Sequence, residues 1–341
     1  MPLPDFLGIG AQRAGTTWLA RNLSRHPEVW TPPLKELHYF DQRRNEPSFG
    51  APIARLLGRE YSEHTGRWYA SFWRHELKRR VRAHRNNFDP HIAVWDFRFF
   101  ARSPSDEWYA SLFQQARGKV AGEITPEYSI LDEEVVAQIH GLMPDAKILF
   151  LIRNPIERDY SGVVKHLRHV GTNGNAATDE YVSAHFDHGS RSHRAAYLQI
   201  LKKWQRFYPN EQIFVGFIED IHFHPVRLLR HIYRFLGVDP SYAHKALKGK
   251  VNARSPKHMP ASAATHLARR YHKDLGLLSE RFGGYASFWL YCAERLTNAP
   301  PHEEIPYPLW NSWLWKEWKN LSSPRSSAYP RAGRVQSGAL A

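Results

Sequence analysis

The sequence predicts an α/β domain in which a central parallel sheet is flanked on both faces by helices. Three observations carry this. Four apolar runs are short enough to be buried strands, segments of helical period lie between them, and the first run passes through a glycine-bounded turn into a helix.

In chain order, the first strand is Phe6–Gly10, followed by a helix from Thr16 that stops at His26-Pro27. The second strand is Lys119–Ile124, and the helix Asp132–Gly141 after it carries acids in its first turn, where they suit the positive end of the helix dipole. The third strand is Lys147–Ile152. Pro155 then opens a helix to His169, because proline lacks only an N–H that the first turn leaves unused. Helices are expected at Ser192–Tyr208, His224–Leu236 and Ala261–Phe282, with the fourth strand at Ile213–Phe217 and Gly283-Gly284 as the final stop. Tyr197 and Trp204 share a helical face at i and i+7, which reads as core.

Two regions lie outside this alternation, so the domain is taken as residues 1–297 with an insertion at about 42–107. The insertion is expected to be helical, basic and aromatic. Ala51–Ser105 has a net charge of +6, and Trp68, Trp73, Trp95 and Trp108 are interleaved with the cations. Aromatic faces beside cations suit sugar rings bearing carboxylate or sulfate; the alternative is a solvated helix whose tryptophans pack inward. Residues 298–321 contain a Trp-rich amphipathic helix at 308–321, which either docks on the protein or lies at a membrane interface. Residues 322–341 are rich in Ser, Pro, Gly and Ala and are expected to be a disordered tail. Trp68-Tyr69-Ala70-Ser71 recurs as Trp108-Tyr109-Ala110-Ser111, read as two similar aromatic helix starts or as chance.

Composition narrows the class. The 341 residues hold 47 Lys plus Arg against 33 Asp plus Glu, a net charge of +14, so an anionic partner is expected. Cys292 is the lone cysteine, which excludes a disulfide framework and a cysteine-built zinc site. No apolar run is long enough to span a bilayer and no secretory leader is recognised, so a cytoplasmic location is expected, with peripheral contact at the inner membrane face as a variant.

The most informative stretch is Gly10-Ala11-Gln12-Arg13-Ala14-Gly15-Thr16-Thr17-Trp18. Two glycines four residues apart, between a strand and a helix, form a P-loop-like turn. Its backbone N–H groups converge on an anion at the helix N-terminus. A nucleoside triphosphatase would place lysine after the second glycine; Thr16 stands there, and the cation is Arg13 inside the loop. That points to a ligand with one phosphate at this point and a different group beyond it. A second anion site is expected where the third strand ends: Arg153 lies at the carboxyl edge, where open α/β sheets bind ligands, and Ser161 follows two helical turns later. In Lys35-Glu36-Leu37-His38-Tyr39-Phe40, read as extended, Glu36 and His38 share one face and Lys35 and Leu37 the other. A carboxylate and an imidazole on one face make an acid–base pair. Glu36 close to Arg13 would have a lowered pKa and be a weaker base, which keeps His38 as the alternative.

These blocks resemble the sulfotransferases that use 3′-phosphoadenosine 5′-phosphosulfate (PAPS), and most nearly the branch that modifies glycans such as heparan sulfate. The likeness spans about Phe6–Gly283, with a gap from Asp41 to Glu107. Gly10–Trp18 resembles the family's 5′-phosphosulfate loop. Arg153 and Ser161, eight apart, resemble its 3′-phosphate site. Lys35–Phe40 resembles the block that carries the catalytic glutamate. The resemblance implies Glu36 as general base with Arg13 stabilising the leaving phosphate, and Lys35, His38 and Glu123 contacting the acceptor. It further implies 3′-phosphoadenosine 5′-phosphate as product, a carbohydrate hydroxyl as acceptor and no metal. Arg254, in the basic loop Asn252–His258, would close over the 3′-phosphate. Ile124 departs from the pattern, since the glycan branch commonly has lysine after the glutamate of Gly122-Glu123; this keeps a lipid or secondary metabolite open as acceptor. A P-loop kinase is disfavoured by the missing lysine. A nucleic-acid binder is disfavoured because no finger, RNP or basic-zipper pattern occurs.

Overall fold

The computed structural model describes residues 2–41, 63–169, 192–242 and 257–322. The loop carrying Arg254, the start of the insertion and the tail beyond residue 322 lie outside the described residues. Five parallel strands form the central sheet in the order β2-β3-β1-β4-β5: β1 Phe6–Gly10, β2 Val29–Trp30, β3 Val120–Ile124, β4 Lys147–Ile152 and β5 Ile213–Phe217. Helices pack around it: α1 Thr16–Leu23, α2 Glu63–Asn86, α3 Pro90–Ala101, α4 Asp106–Ser111, α5 Glu133–Leu142, α6 Pro155–His169, α7 Tyr197–Trp204, α8 Ile218–Phe223 and α9 Pro225–Leu236. The expected fold class is therefore the observed one. Three of the four expected strands have their expected ends, because each is a short, largely apolar run; β1 is wholly buried, β4 is buried after Lys147, and β5 at the sheet edge is half-buried. The two-residue edge strand β2 was not expected.

The sheet order places the site. From β1 the chain runs to the β2 edge, and from β4 it runs to the opposite edge, β5. The loops leaving β1 and β4 therefore diverge and leave a crevice at the carboxyl ends of the two central strands. The core around these strands leaves little space. A Cβ on Gly122 of β3 would lie 2.4 Å from the buried Phe6 ring of β1.

The described part of the insertion is helical, as expected, but its described tryptophans do not form a sugar platform. Trp73, Trp95 and Trp108 are buried. Trp95 Nε1 donates to the Leu112 carbonyl at 2.9 Å, and Trp108 Nε1 to that of Arg98 at 2.8 Å. An indole gains most when its ring is dry and its N–H is paired, and these sites supply both. Trp68 lies outside the described side chains. Asp96 of α3 ties the helices together by accepting from Arg80 Nε at 2.8 Å and meeting His84 Nε2 at 2.7 Å, both on α2.

After β5 the chain forms an antiparallel ribbon of β6 His258–Pro260 and β7 Glu304–Pro306, the long pair α10 Ala261–Phe282 and α11 Gly284–Asn298, and α12 Trp313–Ser322. The Trp-rich segment docks on the protein. The helix begins only at Trp313, after Ser312, so Leu314, Trp315 and Trp318 face inward while Trp313 and Leu321 are exposed. Trp315 stacks on Phe223 with centroids 5.2 Å apart and meets Phe288 edge-on at 4.7 Å. Among the described residues no helix is long and apolar enough to cross a membrane.

Gly122→Ala is expected to cost about 1–3 kcal/mol by overpacking against Phe6, read as a lower urea midpoint with unchanged slope. An unchanged midpoint would show that the sheet relaxes there freely.

Candidate active site

The glycine-bounded loop follows directly from β1. Gly15 adopts a left-handed conformation (φ 95°), and a Cβ there would lie 2.3 Å from Ile221 Cδ1 of α8, so glycine is required for both reasons. Gly15 is also the N-cap of α1, with no side chain capping the helix. The first-turn N–H groups of α1, at Thr16, Thr17 and Trp18, therefore have no carbonyl within the helix to bond. Ala11 and Ala14 are buried and pin the loop from below: Ala11 N donates to the Leu151 carbonyl of β4 at 2.5 Å, and Ala14 N to that of Ala11 at 3.2 Å. Gln12, Arg13, Gly15 and Thr17 remain partly exposed at the crevice.

Arg13, also left-handed (φ 68°), turns its side chain toward α6, where Nε donates to Ser161 Oγ at 2.9 Å. Arg153, at the end of β4, reaches back: its Nη1 donates to the Arg13 carbonyl at 3.3 Å, its Nε to Glu157 Oε2 at 3.0 Å and its Nη2 to Tyr307 Oη at 2.5 Å. The residues expected at two separate phosphate sites thus form one connected cationic cluster. Its buried flank was not anticipated. Tyr307 comes from the segment after β7, and Glu157 Oε1 also accepts from the Leu309 N–H. Glu219 lies deeper, accepting from Trp289 Nε1 at 2.7 Å. Burial, and next the charge of Glu157, push the Glu219 carboxyl up to about 8.

The Lys35–Phe40 segment is not an extended strand. Glu36 (φ 68°) and His38 (φ 53°) are both left-handed, a conformation costly for side-chain-bearing residues and concentrated at functional sites. The kinked backbone still brings the two side chains together, with Glu36 Oε2 3.7 Å from His38 Nε2, but it also brings Lys35 onto Glu36 instead of the opposite face. Asp41, which the sequence reading left out, completes the group at 2.6 Å from His38 Nδ1. Its one local signal is its place three residues after His38, closing the same block.

The electrostatics follow from these contacts. Burial alone would raise the Glu36 carboxyl, but the hydrogen bond with His38 and the Lys35 ammonium prevail and hold it at about 2. The expected depression is present, with His38 and Lys35 rather than Arg13 as its source. Burial alone would lower His38, but Asp41 and then Glu36 raise it to about 10. His38 is therefore an imidazolium between two carboxylates at neutral pH.

Glu123 is enclosed by protein groups. It is buried at the end of β3 and accepts from Tyr109 at 2.7 Å, Tyr128 at 2.9 Å, Thr125 Oγ1 at 2.7 Å and the Leu37 N–H at 3.3 Å. With its acceptor capacity filled by protein donors, it positions the Glu36–His38 segment. Ile124, where a lysine was anticipated, is buried against Gly8.

Comparison with known proteins agrees with this architecture. The sulfotransferase family model matches residues 4–242. A bifunctional heparan sulfate N-deacetylase/N-sulfotransferase of Drosophila melanogaster is 23% identical over 255 residues, covering 70% of this chain and 20% of that protein. Heparan sulfate glucosamine 3-O-sulfotransferase 6 of Mus musculus is 26% identical over 156 residues, 42% of this chain and 44% of that one. The chain thus spans less than half the length of these curated relatives. The crystal structure of a sulfotransferase from Alicyclobacillus acidocaldarius shares the fold, with a TM-score of 0.55 at 22% identity over 85% of this chain and 99% of that one. The chain belongs to the sulfotransferase family.

Proposed function

We propose that the protein transfers the sulfuryl group of PAPS to a hydroxyl, that of a carbohydrate in the first instance. The observation that carries this reading is the linkage of the two guanidinium groups: Arg13 bonded to Ser161, and Arg153 bonded to the Arg13 carbonyl, at the ends of adjacent central strands. Two fixed cations beside the uncapped N–H groups of α1 fit a ligand bearing two separated phosphate groups. The carbohydrate class is supported by the Lys35–Phe40 block and by the two heparan sulfate enzymes among the relatives.

The loop N–H groups and Arg13 hold the 5′-phosphate end, while Arg153 and Ser161 hold the 3′-phosphate and so select PAPS over adenosine phosphosulfate. Three bonds engage Arg153 within the protein, leaving two of its five N–H donors for phosphate. PAPS, when bound, supplies the sulfuryl group and the phosphate that departs with it. Glu36 takes the proton of the acceptor hydroxyl as that oxygen bonds to sulfur. A resting pKa of about 2 makes Glu36 a weak base, but a hydroxyl becomes strongly acidic as the new bond forms. His38, protonated at neutral pH, has no lone pair to offer; it orients Glu36, and Asp41 orients His38. Arg13 and the loop stabilise charge growing on the leaving phosphate. Lys35 stands at the rim of Glu36 and is the candidate contact for an anionic group of the acceptor.

Glu36→Gln is expected to lower kcat by about 10²–10⁴ with PAPS binding retained. Arg153→Ala is expected to weaken binding of 3′-phosphoadenosine 5′-phosphate by about 1.5–3 kcal/mol in calorimetry. Near-wild-type behaviour of both variants would overturn the assignment. The pH profile tests the pair separately. With Glu36 ionised above about 2 and His38 protonated below about 10, kcat/KM should stay level across the neutral range. Its alkaline limb follows His38, because proton loss turns a lone pair toward the Glu36 carboxylate. Asp41→Asn removes the carboxylate that most raises His38 and should move that limb to lower pH; an unmoved limb would exclude His38 as its source.

A further inference from the structure

The insertion carries a surface that the reaction does not use. On α3 the spacing of Pro90, Val94, Phe97 and Ala101, four, three and four residues, places them on one stripe, and all four are exposed. Phe97 is 65% exposed and Val94 49%. Phe88, in the turn joining α2 to α3, is 67% exposed at the tip of the hairpin. A soluble helix normally turns polar residues outward, and this one turns out almost none.

The same hairpin also carries exposed cations. Lys78, Arg82 and Arg85 lie along the exposed side of α2, and Arg102 follows the end of α3. The hairpin's acids between Arg74 and Arg102 are engaged elsewhere: Glu76 pairs with Arg79, Asp89 caps α3, and Asp96 is buried between Arg80 and His84. Among the described residues from Arg74 to Arg102, exposed cations therefore outnumber exposed acids. The Arg80–Asp96–His84 cluster also fixes the two helices against each other, so the apolar stripe and the basic row move as one body.

We infer that the α2–α3 hairpin docks on an anionic membrane surface, with Phe88 and Phe97 entering the headgroup region and Lys78, Arg82 and Arg85 meeting lipid phosphates. Charge complementarity favours this occupant. A stripe one residue wide and about 16 Å long is too narrow for a stable protein interface, whereas shallow entry of two aromatic rings beside several cations suffices for peripheral binding. A glycan is disfavoured because the insertion's described tryptophans, which would stack on sugar rings, are buried. The surface is also coupled to the site. Trp73 of α2 meets the His38 ring edge-on at 6.1 Å, and Arg80 Nη1 donates to the Pro33 carbonyl at 3.5 Å. Docking through this hairpin would set the Glu36–His38 segment at a defined height above the lipid, whichever hydroxyl is the acceptor.

Co-sedimentation of the full chain with vesicles tests the inference. Binding is expected to phosphatidylcholine vesicles containing phosphatidylglycerol, to fall with added salt, and to be absent with phosphatidylcholine alone. Phe88→Ser with Phe97→Ser, and separately Arg82→Glu with Arg85→Glu, should each reduce partitioning about tenfold or more. Both double variants should bind 3′-phosphoadenosine 5′-phosphate as the wild type does, showing that the fold is intact. Trp313→Ser with Leu321→Ser, on α12, should leave partitioning unchanged. Failure of the wild type to sediment with anionic vesicles would overturn the inference, as would equal sedimentation of the hairpin variants. Light scattering showing a dimer that Phe88→Ser with Phe97→Ser dissolves, without vesicle binding, would assign the stripe to a second copy instead.

Discussion

The structure depends on one buried carboxylate. Glu123 ends β3 and gathers donors from four directions: Tyr109 of the insertion, Tyr128 after the strand, Thr125 beside it, and the Leu37 N–H of the segment that holds Glu36. Burial, its largest influence, raises the pKa of this group, and the converging donors work against that rise. Leaving a buried carboxylate short of donors is expensive, so the four partners are constrained together. The insertion, the sheet and the Glu36 segment are thereby fixed to a common point. The left-handed backbone at Glu36 and His38 needs such an anchor, since it would otherwise relax to an ordinary extended chain.

The second organising element is the sharing of Arg153. Its guanidinium bonds the Arg13 carbonyl of the loop and also answers a buried acid, Glu157, and a phenol, Tyr307, whose ring lies 5.2 Å from it. A guanidinium can serve several partners at once because its donors radiate in one plane. Glu157 and Tyr307 thus occupy the inner edge of Arg153 and leave its outer edge directed toward Arg13 and the loop.

Much of this was legible in the sequence, for physical reasons particular to each part. Strands β1, β4 and β5 are unbroken apolar runs bounded by turn residues, so their ends could be read directly. The phosphate loop was legible because glycine spacing and the displaced arginine are both local. Arg153 at the end of β4 and Ser161 on α6 were both readable as positions, because the strand end and the proline-opened helix after it are local signals. The extended reading of Lys35–Phe40 failed because two non-glycine residues there take positive φ, which only tertiary anchoring through Glu123 sustains. The enclosure of Glu123 was not legible because two of its donors, Tyr109 and the Leu37 N–H, come from 14 and 86 residues away. Tyr307 left no trace beside Arg153, from which it is separated by 154 residues. The helix expected at 308–321 begins only at Trp313, after a 3-10 turn at Leu309–Asn311 and the buried Ser312.

Tyr307 also bears on where this molecule can be divided. The family model ends at residue 242, yet the phenol against Arg153 and the N–H against Glu157 both come from beyond that boundary, between β7 and α12. A fragment cut at the family limit would keep Arg13, Arg153, Glu157 and Ser161 but lose the Tyr307 and Leu309 groups that bond Arg153 and Glu157. The familial core and the segment after β7 thus share one buried cluster, and swapping such segments between relatives would exchange the surroundings of Arg153 along with them.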